Sequence, residues 1–136
     1  MELRLLDVSD EFDFDDVPGY VFDIVVDEME RTVGRIEYRF EEGRELLYYV
    51  HIGYVIYLPY RGHGFAEKAC RQLAIIIKSY HPEIMSMMIT CNTDNLPSKA
   101  TIENLGAVYL QRVQIDEDHE LYDQGNYEKE VYEWIL

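Results

Sequence analysis

The chain has 136 residues, 48% of them hydrophobic, which is enough for a buried core, so we expect residues 1–136 to form a single domain. Its 12 basic and 27 acidic residues give a formal net charge of −15, so the basic footprint that nucleic-acid binding needs is missing. No apolar run is long enough to span a membrane, and the first residues do not resemble a signal peptide. Cys70 and Cys91 are typical of buried thiols in a reduced compartment. We therefore expect a cytoplasmic protein.

The first part of the chain has the residue alternation of β-strands. It predicts strands over residues 2–8, 20–28 and 33–41, the last two joined by a hairpin turn at residues 29–32. A long fourth strand is predicted over residues 46–58, where Gly53 interrupts the alternation. A glycine inside a strand often marks a β-bulge, so we expect one there.

The second part of the chain alternates helices with strands. Apolar residues at three- and four-residue spacing predict a helix from Phe65 to Tyr80. A buried strand follows at residues 84–92, and a second helix at residues 94–107 has Pro97 in its first turn and Gly106 past its end. Two last strands, residues 108–115 and 127–135, flank a loose acidic loop. The order predicts an α/β fold with one crossover helix between the fourth and fifth strands.

The turn between the fourth strand and the first helix has the composition of an anion site. Gly62 and Gly64 let the backbone approach a ligand closely, the first amides of a helix attract anions, and Arg61 offers a planar fork for phosphate oxygens. The turn lacks the Gly-Lys-Ser/Thr ending of a P-loop and the third glycine of a dinucleotide fingerprint. From these residues alone, an ordinary strand-to-helix loop remains an equal alternative.

Two motifs extend the interpretation. Arg61, Gly64 and Ala66 match the Arg/Gln-x-x-Gly-x-Gly/Ala signature of the GNAT superfamily of acyl-CoA-dependent N-acetyltransferases, which the chain resembles. Residues 51–64 resemble the branch that contains ribosomal-protein N-acetyltransferases. The residues in register with the family's Asn-x-x-Ser…Glu-x-x-Gly-Phe segment are Asn95, Ser98, Glu103 and Gly106.

The resemblance implies a GNAT-type mixed, largely antiparallel sheet of about seven strands, splayed between strands 4 and 5, with acetyl-CoA as cosubstrate. It also implies which residues bind the donor. The residues that would pair their backbone with the pantetheine arm are Val55, Ile56 and Tyr57, and Asn95 would also contact the arm. The residues that would hold the pyrophosphate are Arg61, Gly62, His63, Gly64, Phe65 and Ala66. The chain departs from the family at Ile102, where many members have a tyrosine, and in the short region between the first two strands, where most members build two helices.

Amine acetylation needs a base, an oxyanion donor and a proton for the departing thiolate. A strand amide near Val55 suits the oxyanion. His51 is the best placed base, with a structural role in the strand as its equal alternative, and Glu37 is a second candidate. Ser98 is the candidate acid, although satisfying backbone amides at a helix start is an alternative role, and Tyr109 is the fallback. No metal site is predicted, because the histidines lie far apart in the sequence.

These features favour an N-acetyltransferase that moves an acetyl group from acetyl-CoA to a primary amine. A non-catalytic acyl-CoA-binding or regulatory module on the same fold is the alternative, and a purely structural α/β protein is the third. We expect a small cationic amine or a basic peptide as acceptor, although the acidity also fits a plain solvated surface. Tyr122 and Tyr127 are candidates to line its pocket.

A homodimer through the last strand, with Val131, Trp134 and Ile135, competes with a monomer whose Trp134 packs in its own core.

Overall fold

The computed structural model describes residues 2–11, 18–49 and 51–136. The strands are β1 (Arg4–Asp7), β2 (Gly19–Val26), β3 (Arg31–Arg39), β4 (Ile52–Ile56), β5 (Ser86–Asn92), β6 (Val108–Gln114) and β7 (Glu128–Ile135). The α-helices are α1 (Arg44–Tyr49), α2 (Phe65–Tyr80), α3 (Leu96–Asn104) and α4 (Glu120–Asp123). Short 3-10 turns occupy Ser9–Glu11, Asp27–Met29 and Leu58–Tyr60. None of the helices in this part of the chain is both long and apolar enough to cross a membrane.

The strands form one sheet in the order β1-β2-β3-β4-β5-β7-β6. All neighbours are antiparallel except β4 and β5, which are parallel and paired at Ile52 and Ile89 alone. Beyond that pair the two strands continue without pairing, to Ile56 and to Asn92, so a slot opens between them. The predicted sheet of about seven strands, splayed between strands 4 and 5, is confirmed.

Helix α2 covers one face of the sheet and supplies much of the core. Its buried residues recur at the spacing of one helix face, and they are Phe65, Ala69, Cys70, Leu73, Ala74 and Ile77. They pack with the inward residues of the strands, among them Ile36, Ile52 and Ile89. Cys70 and Cys91 are free and buried, as predicted, and burial raises the pKa of the Cys70 thiol to about 12.

The predicted fourth strand over residues 46–58 is wrong in its first half, where α1 is formed instead. The apolar side chains there meet the connection between β6 and β7, since Tyr48 packs in a buried cluster with Ile115 and Leu121. Helix α1 is also tied to that connection by Glu45, whose carboxylate lies 3.0 Å from Nε2 of His119. An apolar run of this length fits a helix or a strand, and this long-range packing decided the outcome.

Two further predictions are corrected. The pairing of β3 with β4 runs from Gly34–Ile56 to Tyr38–Ile52 without a shift of register, so these described residues contain no bulge at Gly53. The loop between the last strands is not loose, because it contains α4. The Nδ1 atom of His119 accepts a hydrogen bond from the Leu121 amide at 3.1 Å and thereby caps that helix.

The last strand does not offer the apolar surface on which the homodimer prediction depended. Strand β7 lies inside the sheet, between β5 and β6. Val131 and Trp134 are 0% and 7% exposed, while Ile135 is 64% exposed. Trp134 therefore packs in the core of its own chain, which was the alternative considered, and the argument for a dimer through this strand is lost.

Candidate active site

A cleft of about 560 Å³ lies between the end of β4, the turn that follows it and the starts of α2 and α3. A volume of this size suits a small-molecule ligand. From β4 and the turn after it, the cleft is lined by Tyr54, Val55, Ile56, Tyr60, Arg61, Gly62, Gly64, Phe65 and Ala66. From the start of α3 it is lined by Asn95, Pro97, Ser98 and Thr101. The cleft thus gathers most of the residues that were predicted to bind the donor.

The glycine turn opens the backbone toward the cleft. Gly62 and Gly64 have φ angles of 85° and 74°, in the left-handed region that favours glycine. A Cβ atom at either position would meet no protein atom within 4 Å, so the two glycines keep free space at the cleft. Gly64 is the N-cap of α2 and has no side chain to bond the first amides. Those amides have no carbonyl partner inside the helix, so they suit an anion.

Arg61 and His63 flank these glycines. The Nε atom of Arg61 donates to the Ile56 carbonyl at 2.8 Å, which fixes the guanidinium beside the turn. Among the residues that the structure describes, Arg61 forms no ion pair, although the chain carries 27 acidic residues. His63 donates from Nδ1 to the Tyr60 carbonyl at 3.0 Å and stacks on Phe65. The turn therefore holds a positive charge that can reach a phosphate.

Backbone hydrogen bonds show which residues of β4 face the slot. The Arg39 amide donates to the His51 carbonyl at 2.7 Å, and the Tyr57 amide donates to the Val33 carbonyl at 2.8 Å. Antiparallel pairing repeats every two residues. The odd-numbered residues of β4 therefore turn their backbone toward β3, and the even-numbered residues turn theirs toward β5 and the slot.

This alternation revises the backbone assignment. Val55 and Tyr57, which were expected to pair with the pantetheine arm, turn their backbone to β3. Tyr54 and Ile56 face the slot instead, and the Ile56 carbonyl is already taken by Arg61. The slot amide that can meet an oxyanion is therefore that of Tyr54 and not that of Val55.

The start of α3 forms the opposite wall of the cleft. Asn95 is the N-cap of this helix, and its Oδ1 atom accepts from the Ser98 amide at 3.2 Å. The expectation that Ser98 itself satisfies the helix start is wrong, because Asn95 does so. The Ser98 hydroxyl instead lies 3.0 Å from the Tyr54 hydroxyl. Burial raises the pKa of Tyr54, opposed by this hydrogen bond and by one with Thr101.

His51 lies outside this cleft. It precedes β4, stacks on Tyr38 and lines a separate depression that includes Glu41 and Glu83. Its Nδ1 atom accepts a hydrogen bond from the Met88 amide at 2.9 Å. Burial lowers the pKa of His51, opposed by its hydrogen bond with the Glu41 backbone and by the Glu41 charge. The structure thus gives His51 a bridging position between the starts of β4 and β5 and does not bring it to the other predicted site residues.

Glu37 lies beside the slot on the other face of the sheet. It pairs with Gly53 across β3 and β4, and side chains of adjacent residues in a strand point to opposite faces. The Glu37 side chain is therefore on the face opposite to that of Tyr54. Burial raises the pKa of Glu37, opposed by the charges of Arg39 and Arg35. A carboxylate with a raised pKa in this position can accept a proton.

A second pocket, of about 530 Å³, adjoins the cleft along the chain. Asn92, Thr93 and Asp94 line this pocket, and the residues that follow them line the cleft. Its remaining walls come from β6, from the connection to β7 and from the start of β7. Its charged residues are Asp94, Glu117 and Glu128, and its aromatic residues are Tyr122 and Tyr127. The two rings meet edge to face, with their centroids 4.8 Å apart. We call this the acidic pocket.

The chain belongs to the GNAT acetyltransferase family, because its residues 6–108 match the model of the acetyltransferase (GNAT) domain. The resemblance found in the sequence is confirmed, and membership supports acetyl-CoA as the cosubstrate. No curated protein matches the chain.

Solved structures of acetyltransferases share the fold. The microcin C7 self immunity acetyltransferase MccE, in complex with acetyl-CoA and AMP, is 20% identical with a TM-score of 0.65, over 87% of this chain and 61% of MccE. RimL, a ribosomal L7/L12 alpha-N-protein acetyltransferase in complex with coenzyme A, is 18% identical with a TM-score of 0.66, over 87% of this chain and 62% of RimL. The ribosomal-protein-S5-alanine acetyltransferase from Vibrio fischeri is 18% identical with a TM-score of 0.66, over 86% of this chain and 61% of that acetyltransferase. The chain thus spans about three-fifths of the length of these proteins.

Proposed function

We propose that this protein transfers an acetyl group from acetyl-CoA directly to a primary amine. The observation that carries the proposal is the cleft that begins at Tyr54, two residues past the Ile52–Ile89 pair where β4 and β5 separate, and ends at the glycine turn. Such a cleft accepts a long, flexible donor with an anionic end. The family assignment supports acetyl transfer, and the geometry supports where the donor lies.

In this proposal the pyrophosphate binds the amides of the turn over residues 61–66, with Arg61 on its oxygens. The pantetheine arm follows β4 as an added strand and pairs with the slot-facing backbone of Tyr54 and Ile56. Asn95 contacts the arm from α3, since its Oδ1 serves the helix cap and its amide group remains to donate. The thioester then lies near the Ile52–Ile89 pair, at the narrow end of the slot.

The two faces of the sheet would serve the two substrates. The donor arrives from the face that carries α2 and α3, and the amine arrives from the face on which Glu37 lies. The amine nitrogen attacks the thioester carbonyl carbon, and the Tyr54 amide stabilises the oxyanion that forms. Glu37 accepts the proton that the nitrogen loses, directly or through a water molecule. His51, the base predicted from the sequence, already uses its Nδ1 lone pair for the Met88 amide, so we assign this role to Glu37.

We propose that the acceptor is cationic and binds the acidic pocket. Asp94, Glu117 and Glu128 attract an ammonium group, and the faces of Tyr122 and Tyr127 favour a cation. The buried Oδ1 of Asn92, which lines the same pocket, has no hydrogen-bond partner among the described residues and can accept from a donor. A polyamine, with amines at both ends, would place one amine here and the other at the thioester.

The test is thioester turnover by the full chain. Release of free thiol from acetyl-CoA is measured without amine and with a panel of polyamines, aminoglycosides, basic peptides and neutral amines. Turnover that depends on an amine supports the transferase. Coenzyme A binding by calorimetry without turnover by any amine would favour a non-catalytic acyl-CoA-binding module, and no binding at all would contradict both proposals.

The acceptor class has its own control. Asp94→Asn and Glu117→Gln should raise KM for a polyamine while leaving KM for acetyl-CoA unchanged. The effect should shrink as salt is added, because screening weakens attraction between exposed charges. Equal KM values for the polyamine in variant and wild type would exclude the acidic pocket as its site.

A further inference from the structure

One side-chain contact spans the cleft. The hydroxyl of Tyr54, on β4, lies 3.0 Å from the hydroxyl of Ser98, on α3. These two elements are the walls between which the donor would lie, so the contact brings both walls together at one point of the cleft. Thr101, one turn further along α3, also lines the cleft.

The position of Tyr54 along the slot identifies the part of the donor that it meets. Ile52 forms the last pair between β4 and β5, and Tyr54 is the first residue after it that lines the cleft. The glycine turn lies at the other end. If the anionic end of the donor binds the turn, the reacting end lies beside Tyr54.

The other phenols are less well placed for the reacting end. Tyr60 lines the cleft but lies in the 3-10 turn directly before Arg61, at the anionic end. Tyr109, the fallback acid predicted from the sequence, lies on β6 and is 48% exposed. Ile102, which replaces the tyrosine found in many family members, is buried in the core at 0% exposure.

We propose that the Tyr54 hydroxyl is the proton donor to the departing thiolate, an inference that rests on the proposed transferase function. The amine nitrogen forms a bond to the carbonyl carbon, the bond from carbon to sulfur breaks, and its electron pair goes to sulfur. The phenol proton moves to sulfur and gives free coenzyme A. The phenolate regains a proton from the Ser98 hydroxyl, which regains one from water, while the proton of the amine goes to Glu37.

The environment of Tyr54 suits this role. Burial raises the pKa of the phenol, so the hydroxyl is protonated throughout the neutral range. The same desolvation destabilises a thiolate leaving group, so a proton donor within its reach matters more in the cleft than in water. Ser98 acts through Tyr54 and is therefore a positioning residue.

The experiment compares Tyr54→Phe with Tyr109→Phe, which lies outside the cleft, and with the wild type in steady-state turnover of acetyl-CoA with the best amine of the panel. Tyr54→Phe should lower kcat about 100-fold, the lower end of general acid catalysis, with less than a threefold change in the Kd of coenzyme A. Its solvent deuterium isotope effect on kcat should differ from that of the wild type. Tyr109→Phe should change kcat less than threefold, and Ser98→Ala should lower kcat less than Tyr54→Phe does.

The outcomes separate the two proposals. Unchanged kcat in Tyr54→Phe, beside an active wild type, overturns the role of Tyr54 and leaves the transferase intact. A loss of kcat that comes with equally weakened coenzyme A binding also overturns it, because that result describes a packing role. A wild type that binds coenzyme A but acetylates no amine removes the transferase itself and this inference with it.

Discussion

Glu37 and Gly53 face each other across β3 and β4 so closely that a Cβ atom at Gly53 would lie 3.1 Å from Oε1 of Glu37. The missing side chain of Gly53 therefore gives the carboxylate its place beside the slot. Gly53→Ala should displace the Glu37 carboxylate and lower kcat several-fold. Because the displaced group is the end of a flexible side chain, the midpoint of thermal unfolding should change little, which calorimetry can check. Full activity in Gly53→Ala would mean that the position of Glu37 does not matter.

Glu37→Gln tests the base directly. Since burial raises the pKa of Glu37, the wild type should lose kcat/KM with falling pH already above the ordinary carboxyl value of 4.5. A weakly basic amine acceptor, whose own protonation lies below this range, keeps the acceptor from producing the same decline. Glu37→Gln should lower kcat about 100-fold and remove that decline. A variant that retains the pH profile of the wild type would show that another group titrates.

Gly64→Ala and Gly106→Ala form a matched pair. Both glycines have positive φ angles, 74° and 82°, and neither replacement meets a neighbouring atom within 4 Å. Each variant should therefore lose about 1 kcal/mol of unfolding free energy from backbone strain. Gly64 alone lines the cleft, so Gly64→Ala should also weaken coenzyme A binding about tenfold in calorimetry. Equal affinity in the two variants would contradict the site of the pyrophosphate.

Arg61→Ala should weaken binding of coenzyme A about 10- to 100-fold, the loss expected for a hydrogen bond to a charged group. The matched probe is S-acetyl-pantetheine, which has the arm and the thioester but no pyrophosphate. Its rate of turnover should be the same in Arg61→Ala and in the wild type. A loss of the same size with both donors would place Arg61 near the thioester and not at the phosphates.

The His51 ring predicts a pH dependence of stability. Burial lowers its pKa, so as the pH falls below about 6.5 the unfolded chain binds the proton before the folded chain does. The contribution of His51 to the free energy of unfolding is therefore complete above that pH and decreases below it. His51→Asn keeps an acceptor for the Met88 amide but does not titrate, so its melting temperature should fall less than that of the wild type between pH 7.5 and 5.5. The other histidines are common to both proteins and cancel in the comparison.

The parts of the fold that were predictable depend on local patterns. Helix α2 has one apolar face, and the glycine turn needs only adjacent residues, so both could be found from the sequence. Helix α1 could not, because Leu47 and Tyr48 fit either a helix or a strand until they meet Ile115 and Leu121. Long-range packing thus decided the element that the local pattern left ambiguous.

The same distinction holds for the site. The anionic end of the cleft was predictable because Arg61 and Gly64 lie in one motif. The contact of Tyr54 with Ser98 joins residues 44 positions apart, and Tyr54 is one of twelve tyrosines, so no local signal distinguished it. Glu37 was predicted as the second candidate base, but its place opposite Tyr54 depends on strand register.

Helix α1 and the connection between β6 and β7 have an evolutionary consequence as a pair. Ile115 and Tyr122 line the acidic pocket and also pack in or against the cluster that holds Tyr48. A change of pocket shape in one segment therefore alters the support that the other gives it. New acceptor preferences in this lineage should arise by coordinated replacement of both segments. In a chimaera that exchanges only one of them, the side chains of α1 and of the connection between β6 and β7 should no longer pack together.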